Sequence, residues 1–385
     1  MPRSKVTPFL HRAFVRPWQN ITRAKIFILG ILAYTGYGVL SFALNFSLAG
    51  QGALDSVIYQ TFRMVFMGCI CVPFTFWLLE RYKSRWLLAT IQLIAVSLFF
   101  VDRTSPWLNG FAFSFAYSPF LTLYAYRFAK NRTTDNQGNE TALSSYMSMA
   151  FYSAGLFIGG LSLQYDFYFT ALAMSSIVGI VGAFFLYIPI TARQPVKRAW
   201  RLIGKNKPST RITVFAGLFN VMVEGGLPIW MRAIGISPLG AGINMSVRPI
   251  IGMALTPLAG WLIQKGGFRA GQLGGFCMLL GWCLVGIGHF YIWVLSWGLA
   301  VLSVGMALLN PMEMGRWFKR RSSAGIVARE FLYCNGRIPA YTAAIIVSFF
   351  APVTYPLLGL AISGLFMLNV RPKRKGLAFL RFIED

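Results

Sequence analysis

Leu78-Leu-Glu-Arg-Tyr-Lys-Ser-Arg85 and Gly260-Trp-Leu-Ile-Gln-Lys-Gly-Gly-Phe-Arg269 are short basic interruptions in a mostly apolar chain. Each follows a long hydrophobic run. Each has a Leu, a polar residue two places on, then a basic residue, then an Arg four further. They belong to a pattern that covers the chain. Thirty of the 36 Lys and Arg residues fall in alternate gaps between apolar stretches: Met1–Lys25, Glu80–Arg85, Arg127–Thr141, Thr191–Arg211, Gln264–Arg269, Gly315–Ser322 and the tail from Arg371. The intervening gaps hold only Arg103, with Asp55, Asp102 and Asp166 on that second side. Loops rich in Lys and Arg stay in the cytoplasm, so both termini and the long central loop are expected there.

Composition agrees with a polytopic membrane protein. Of 385 residues, 56% are hydrophobic and 12% charged, with mean hydropathy +0.59; soluble domains carry roughly 25% charged residues. A net charge of +25 on a soluble chain points to nucleic acid. Here the charge sits in loops between spans, where lipid head groups account for it, and nucleic acid is excluded as a partner. The five cysteines lie inside apolar runs without companion ligands, so neither metal, cofactor nor disulfide is expected.

Twelve stretches approach the ~20 residues a helical crossing needs. They lie near Ile26–Leu48, Val57–Leu79, Trp86–Val101, Trp107–Tyr126, Leu143–Leu163, Tyr168–Ile190, Ile212–Ala233, Gly240–Ile263, Gly271–Gly288, Ile292–Met312, Ser323–Ser348 and Val353–Val370. All are expected to be helices, which satisfy their own backbone in lipid. The organisation is then a cytoplasmic segment 1–25, a six-helix half 26–190, a basic loop 191–211 acting as hinge, a second six-helix half 212–370 and a basic tail 371–385. Matches between the halves imply an internal repeat. Beyond the two loops quoted above, Arg63 in span two corresponds to Arg248 in span eight. Arg127-Phe-Ala-Lys-Asn-Arg132 corresponds to Arg316-Trp-Phe-Lys-Arg-Arg321, and Tyr152-Ser-Ala-Gly155 to Tyr333-Cys-Asn-Gly336.

On these residues the chain resembles the major facilitator superfamily over essentially its whole length. That family's loop after the second span follows Gly-x-Leu-x-Asp-Arg-x-Gly-x-Arg, often repeated after the eighth. Gly260, Leu262, Lys265, Gly267 and Arg269 fit the second copy, with Gln264 where the acid stands. Leu78, Glu80, Arg81 and Arg85 fit the first, with Phe76 and Lys83 in place of its glycines. The resemblance implies an all-α integral membrane fold of twelve helices in two pseudo-symmetric halves. It also implies gating contacts among Glu80, Arg81, Arg85, Gln264, Lys265 and Arg269 when the cytoplasmic side closes. Exporters of the family often carry Gly-Pro-x-x-Gly-Gly in span five; here Gly155-Leu-Phe-Ile-Gly-Gly160 keeps Gly155, Gly159 and Gly160 as helix-packing positions and puts Leu156 in place of the proline.

Ionisable groups inside lipid are costly and mark function by default. Arg63 and Arg248 form a repeat-related pair; snorkelling to the outer head groups is the alternative. In span eleven, Arg329, Tyr333 and Arg337 recur every fourth residue and share a helix face that suits a carboxylate or phosphate. Arg329 and the adjacent Glu330 point about 100° apart, so an interhelical salt-bridge network is the other use of this stretch. Glu224, in Val223-Glu-Gly-Gly-Leu-Pro228, is a candidate proton carrier or a permanent arginine partner. Span one offers no acid, only Tyr34, Tyr37 and Asn45, with the two tyrosines as substrate candidates, which argues against a pump for cationic drugs.

The expected function is proton-coupled efflux of a small organic anion, of metabolite, carboxylate-siderophore or phosphorylated type, by alternating access. Uptake or facilitated diffusion of a similar solute is the second reading. A membrane scaffold or receptor is the third. An integral membrane enzyme is disfavoured, since the only histidines are His11 and His289 and no catalytic constellation appears. The expected setting is a bacterial inner membrane, as a monomer, with lipid, protons and a small anion as partners.

Overall fold

A computed structural model describes residues 21–102, 104–130, 137–187, 195–205, 207–350 except 319–322, and 354–369. Within these, the side chains at 21–24, 128–130, 137–147, 207–209, 212, 253, 256–270, 292, 310–318, 323, 350 and 369 are not described. The basic segments 1–20 and 371–385 lie outside the described residues, as do the side chains of Gln264, Lys265 and Arg269.

The described chain is all helical and forms the twelve spans. Span one is Ile21–Gln51, span two Ala53–Arg81, span three Arg85–Phe100, span four Pro106–Lys130, span five Gln137–Gln164 and span six Tyr168–Leu186. Span seven runs from Lys207 to Ala233, span ten is Ile292–Phe318, span eleven is Ser323–Asn335 with Ile338–Phe350, and span twelve is Tyr355–Asn369. Among the described residues, four helices are long and apolar enough to cross a membrane on composition alone: Lys25–Gln51, Ala53–Arg81, Tyr168–Leu186 and Thr213–Ala233.

Two features differ from the loops expected on sequence. Spans eight and nine form one helical element, Pro238–Ile287, of 50 residues. Drawn straight it would measure about 75 Å, more than twice a bilayer core. It doubles back instead, because Gly252 packs on Ser303 while Gly281 packs on the adjacent Leu302. The chain therefore reverses direction between those glycines. The central loop likewise contains a helix, Pro195–Lys205. Its Ala199 is buried, its Trp200 rests on Phe331 of span eleven, and Lys197, Arg198, Arg201 and Lys205 are exposed.

Prolines shape the spans that matter for the site. Pro228 has no N–H, so the Glu224 carbonyl loses its helical donor. Span seven answers with a π-helical turn at Met222–Gly226, where Leu227 N–H reaches back to Met222 O. Asn45 of span one then donates its side-chain amide to Glu224 O and Gly225 O, both at 3.2 Å. Span two has the same device, a π turn at Phe66–Cys71 ahead of Pro73. Span eleven breaks outright: the helix stops at Asn335, turns at Gly336–Arg337 and restarts before Pro339.

The internal repeat is visible in the packing. Gly38 of span one lies against the carbonyl of Tyr152 and against Gly155 in span five; Gly217 of span seven lies against the carbonyl of Tyr333 and against Gly336 in span eleven. Both contacts are too close for a side chain at Gly38 or Gly217. Gly155 and Gly159 face span one, whereas Gly160 meets Pro238 O and Gly242 of span eight across the two halves. In the first basic loop, Lys83 has φ 50, a left-handed conformation that favours glycine. Lys83 is the residue that replaces the second glycine of the family pattern. Arg127 donates to the last carbonyls of span six, Leu186 O and Tyr187 O, both at 3.0 Å. On the opposite side, Thr104 hydroxyl and amide hydrogen bonds to Asp102, with a third from Ser105, hold its carboxyl below the usual range.

Candidate functional site

A central cavity of about 200 Å³ opens between the two sets of six spans. Its wall in the first half comes from spans one, four and five and is aromatic: Tyr34, Tyr37, Tyr124 and Tyr152, with Leu121 and Met149. Tyr34 and Tyr124 meet edge to face at 5.4 Å, and Tyr37 sits 5.6 Å from Tyr152. The wall in the second half comes from spans seven, eight, ten and eleven and is charged: Glu224, Arg248, Arg329, Glu330 and Arg337, beside Asn220, Ser303 and Met306.

Span eleven carries most of this chemistry. The Arg337 guanidinium lies 4.3 Å from the Tyr333 ring centroid and that of Arg329 lies 5.1 Å from it, so the tyrosine is flanked by two cations. This is the every-fourth-residue stripe expected from the sequence. Arg337 pairs with Glu224 at 3.0 Å, joining the break in span eleven to the π turn in span seven. Arg329 pairs with its neighbour Glu330. Adjacent residues diverge on a helix, but a long arginine curls back far enough to reach.

The repeat-related arginines have separate fates. Arg63 is fully buried and lies outside the cavity lining. It donates to Ser41 Oγ at 3.0 Å, to Gln60 Oε1 at 3.1 Å and to the Tyr37 hydroxyl, and its guanidinium lies 4.0 Å from the Phe113 ring centroid. Arg248 is only 7% exposed and does line the cavity. Among the described residues it makes no hydrogen bond and no ion pair, and its Nε is a buried donor without an acceptor.

Beyond the cavity, on the side away from the basic loops, the halves meet. The Ala53–Val65 part of span two packs on the Ile338–Phe350 part of span eleven, and span one packs on Leu227–Ala233. Tyr341 donates to Gln60 Oε1 at 3.3 Å, Arg337 Nη1 lies 3.5 Å from Met64 Sδ, and Asn45 holds the carbonyls of span seven. Ser56 completes this layer by donating to the Asn45 side chain. Arg81 and Arg85 are exposed in the first basic loop, with the Arg85 guanidinium 4.6 Å from the Phe184 ring centroid, while Glu80 is half-buried.

Asn45, Tyr124, Tyr152 and Asn220 also contribute to this centre. Asn220 was findable, since it precedes Glu224 by one helical turn. Tyr124 follows Tyr117 and Phe120 at helical spacing on span four. Asn45 carries no local sign of its role, because the carbonyls it binds are 179 and 180 residues away.

The human organic anion transporter MFSD10 (TETRAN) superposes on this chain with TM-score 0.64 at 14% identity, covering 91% of this chain and 99% of that one. The nucleoside transporter NupG superposes with TM-score 0.60 at 17% identity, covering 92% and 99%. The chain has the major facilitator fold. It is therefore a multi-pass membrane protein. No sequence-family model and no curated protein sequence matches it. At these identities the likeness establishes the fold, and function has to be argued from the cavity.

Proposed function

We propose that the chain is a secondary transporter for a small organic anion, working by alternating access between its two halves in a bacterial inner membrane with both termini cytoplasmic. The observation that carries this reading is Arg248. Three guanidiniums line the cavity with two carboxylates. Arg337 and Arg329 are paired, and among the described residues Arg248 makes no ion pair. A buried cation without a partner costs several kcal/mol, and an anionic solute supplies the missing charge. Arg63, its repeat counterpart, keeps an unpaired Nε as well, but its terminal nitrogens donate to Ser41, Gln60 and Tyr37 and it lies outside the cavity lining, so the repeat retains one arginine for structure and presents the other to the cavity. The layer made by Asn45, Gln60 and Tyr341 supports a state that is shut on the side away from the basic loops.

Glu224 is the proposed proton site. Protonating it releases Arg337 and adds a second cation to the cavity, so proton and anion favour each other's binding. That coupling has the sign of cotransport, which an inward proton gradient drives as uptake. The span-five glycines support efflux instead, the direction expected on sequence. The ion pair is the more specific observation and favours uptake.

The test is a pH dye trapped in proteoliposomes. An impermeant aromatic sulfonate added outside acidifies the lumen if proton and anion travel together, and makes it alkaline if they exchange. Either signal is lost in Glu224→Gln. Silence for anions together with a signal for organic cations contradicts the proposal.

A further inference from the structure

Charge count and wall chemistry together narrow the ligand class, on the reading that the cavity binds an anion. We infer that the preferred ligand is a monoanion with an aromatic body, rather than a polycarboxylate or a phosphorylated compound. Among the described residues of the cavity wall, Arg248 is the cation without an ion pair. A second negative charge has no free partner unless Glu224 yields Arg337 or Glu330 yields Arg329. Breaking a buried ion pair leaves an uncompensated charge and is strongly unfavourable. The cavity in this state therefore neutralises one negative charge.

The body of the ligand is set by the opposite wall. Tyr34, Tyr37, Tyr124 and Tyr152 face the charged wall across the cavity, with Leu121 and Met149 between them. Tyrosines offer flat apolar faces with a hydroxyl at the edge, which suits a ring that stacks or meets them edge-on. A volume of about 200 Å³ accommodates a compact solute such as one ring with a short acidic chain. The ligand then lies with its ring toward spans one, four and five and its acid toward span eight. One molecule bridges the halves and can report occupancy to both.

Four probes that differ in ring and charge separate the terms: 3-phenylpropionate (ring and one charge), phenylsuccinate (ring and two charges), hexanoate (one charge, no ring) and 3-phenylpropanol (ring, no charge). Binding is measured at neutral pH by calorimetry on the full chain in nanodiscs, with a cooperative thermal melt as proof of folding. 3-Phenylpropionate is expected to bind about tenfold or more tightly than each of the others, the factor that one charge-assisted hydrogen bond or one aromatic contact supplies. Arg248→Gln removes the preference for acid over alcohol, and Tyr124→Leu reduces the preference for ring over hexanoate. Arg248→Lys keeps the charge and retains part of the affinity, which guards against a misfolded variant.

Phenylsuccinate binding as tightly as 3-phenylpropionate overturns this inference and leaves the anion reading standing. Alcohol and acid binding equally overturns both. Binding of none of the four by folded protein also overturns the inference.

Discussion

Asn45→Ala tests how the layer beyond the cavity stays shut. Asn45 belongs to the first half and its two acceptors, Glu224 O and Gly225 O, to the second, so both hydrogen bonds vanish when the halves part at that end. A net hydrogen bond contributes about 0.5–1.5 kcal/mol, so two contribute about 1–3 kcal/mol to the closed layer alone. Helix contacts within lipid average about 0.6 kcal/mol, which places the lower bound near 1.2 kcal/mol. At 1.4 kcal/mol per factor of ten, the alanine variant shifts the closed-to-open ratio by roughly sevenfold to a hundredfold. The bond between Ser56 and Asn45 is also lost, but it lies within one half and changes overall stability rather than this ratio. The assay places spin labels at Ala53→Cys and Phe349→Cys, on a background without the native cysteines, and measures the distance distribution. The variant should gain a longer-distance population. An unchanged distribution in folded protein refutes the idea that Asn45 holds the π turn against span one.

Arg337→Ala should destabilise the protein by about 3–5 kcal/mol by stranding Glu224, and Glu224→Gln in the same chain should recover much of the loss, read from thermal melts of both variants. Gly38→Ala and Gly217→Ala should each cost about 1–3 kcal/mol through overlap with the Tyr152 and Tyr333 carbonyls. Gly364→Ala, inside the Tyr355–Asn369 helix with nothing within 4 Å of its added methyl, should cost nothing and can add up to about 1 kcal/mol in the same melts. Lys83→Gly should stabilise the first basic loop by up to about 1 kcal/mol, because residue 83 sits at φ 50, and an unchanged melting temperature would argue that the loop relaxes.

Alternating basic gaps made the number of spans legible, and helical spacing made the Arg329–Tyr333–Arg337 stripe legible, because both depend on neighbours along the chain. The repeat gave the correspondence of Tyr152 with Tyr333, which the packing of Gly38 and Gly217 reproduces. What sequence did not reveal depends on distant partners. Arg63 and Arg248 look equivalent in their spans, and only the surroundings of Ser41, Tyr37 and Phe113 set them apart. The Gly-Gly and Pro228 of span seven signalled a disturbed helix, but a π turn rather than a break resulted, since Asn45 reaches the carbonyl that Pro228 cannot serve. The reversal within Pro238–Ile287 falls between Gly252 and Gly281, where the basic Gly-Gly stretch reads as a loop, but sequence did not show that helical backbone runs up to it from both sides.

The most direct test of the account is counterflow of labelled 2-naphthalenesulfonate in proteoliposomes, which cannot cross lipid as a neutral acid. The native chain should exchange the label against unlabelled sulfonate inside, and Arg248→Gln with an unchanged thermal melt should lose that exchange. Exchange that persists in Arg248→Gln, or that appears only with organic cations, would contradict the assignment of Arg248 as the anion site.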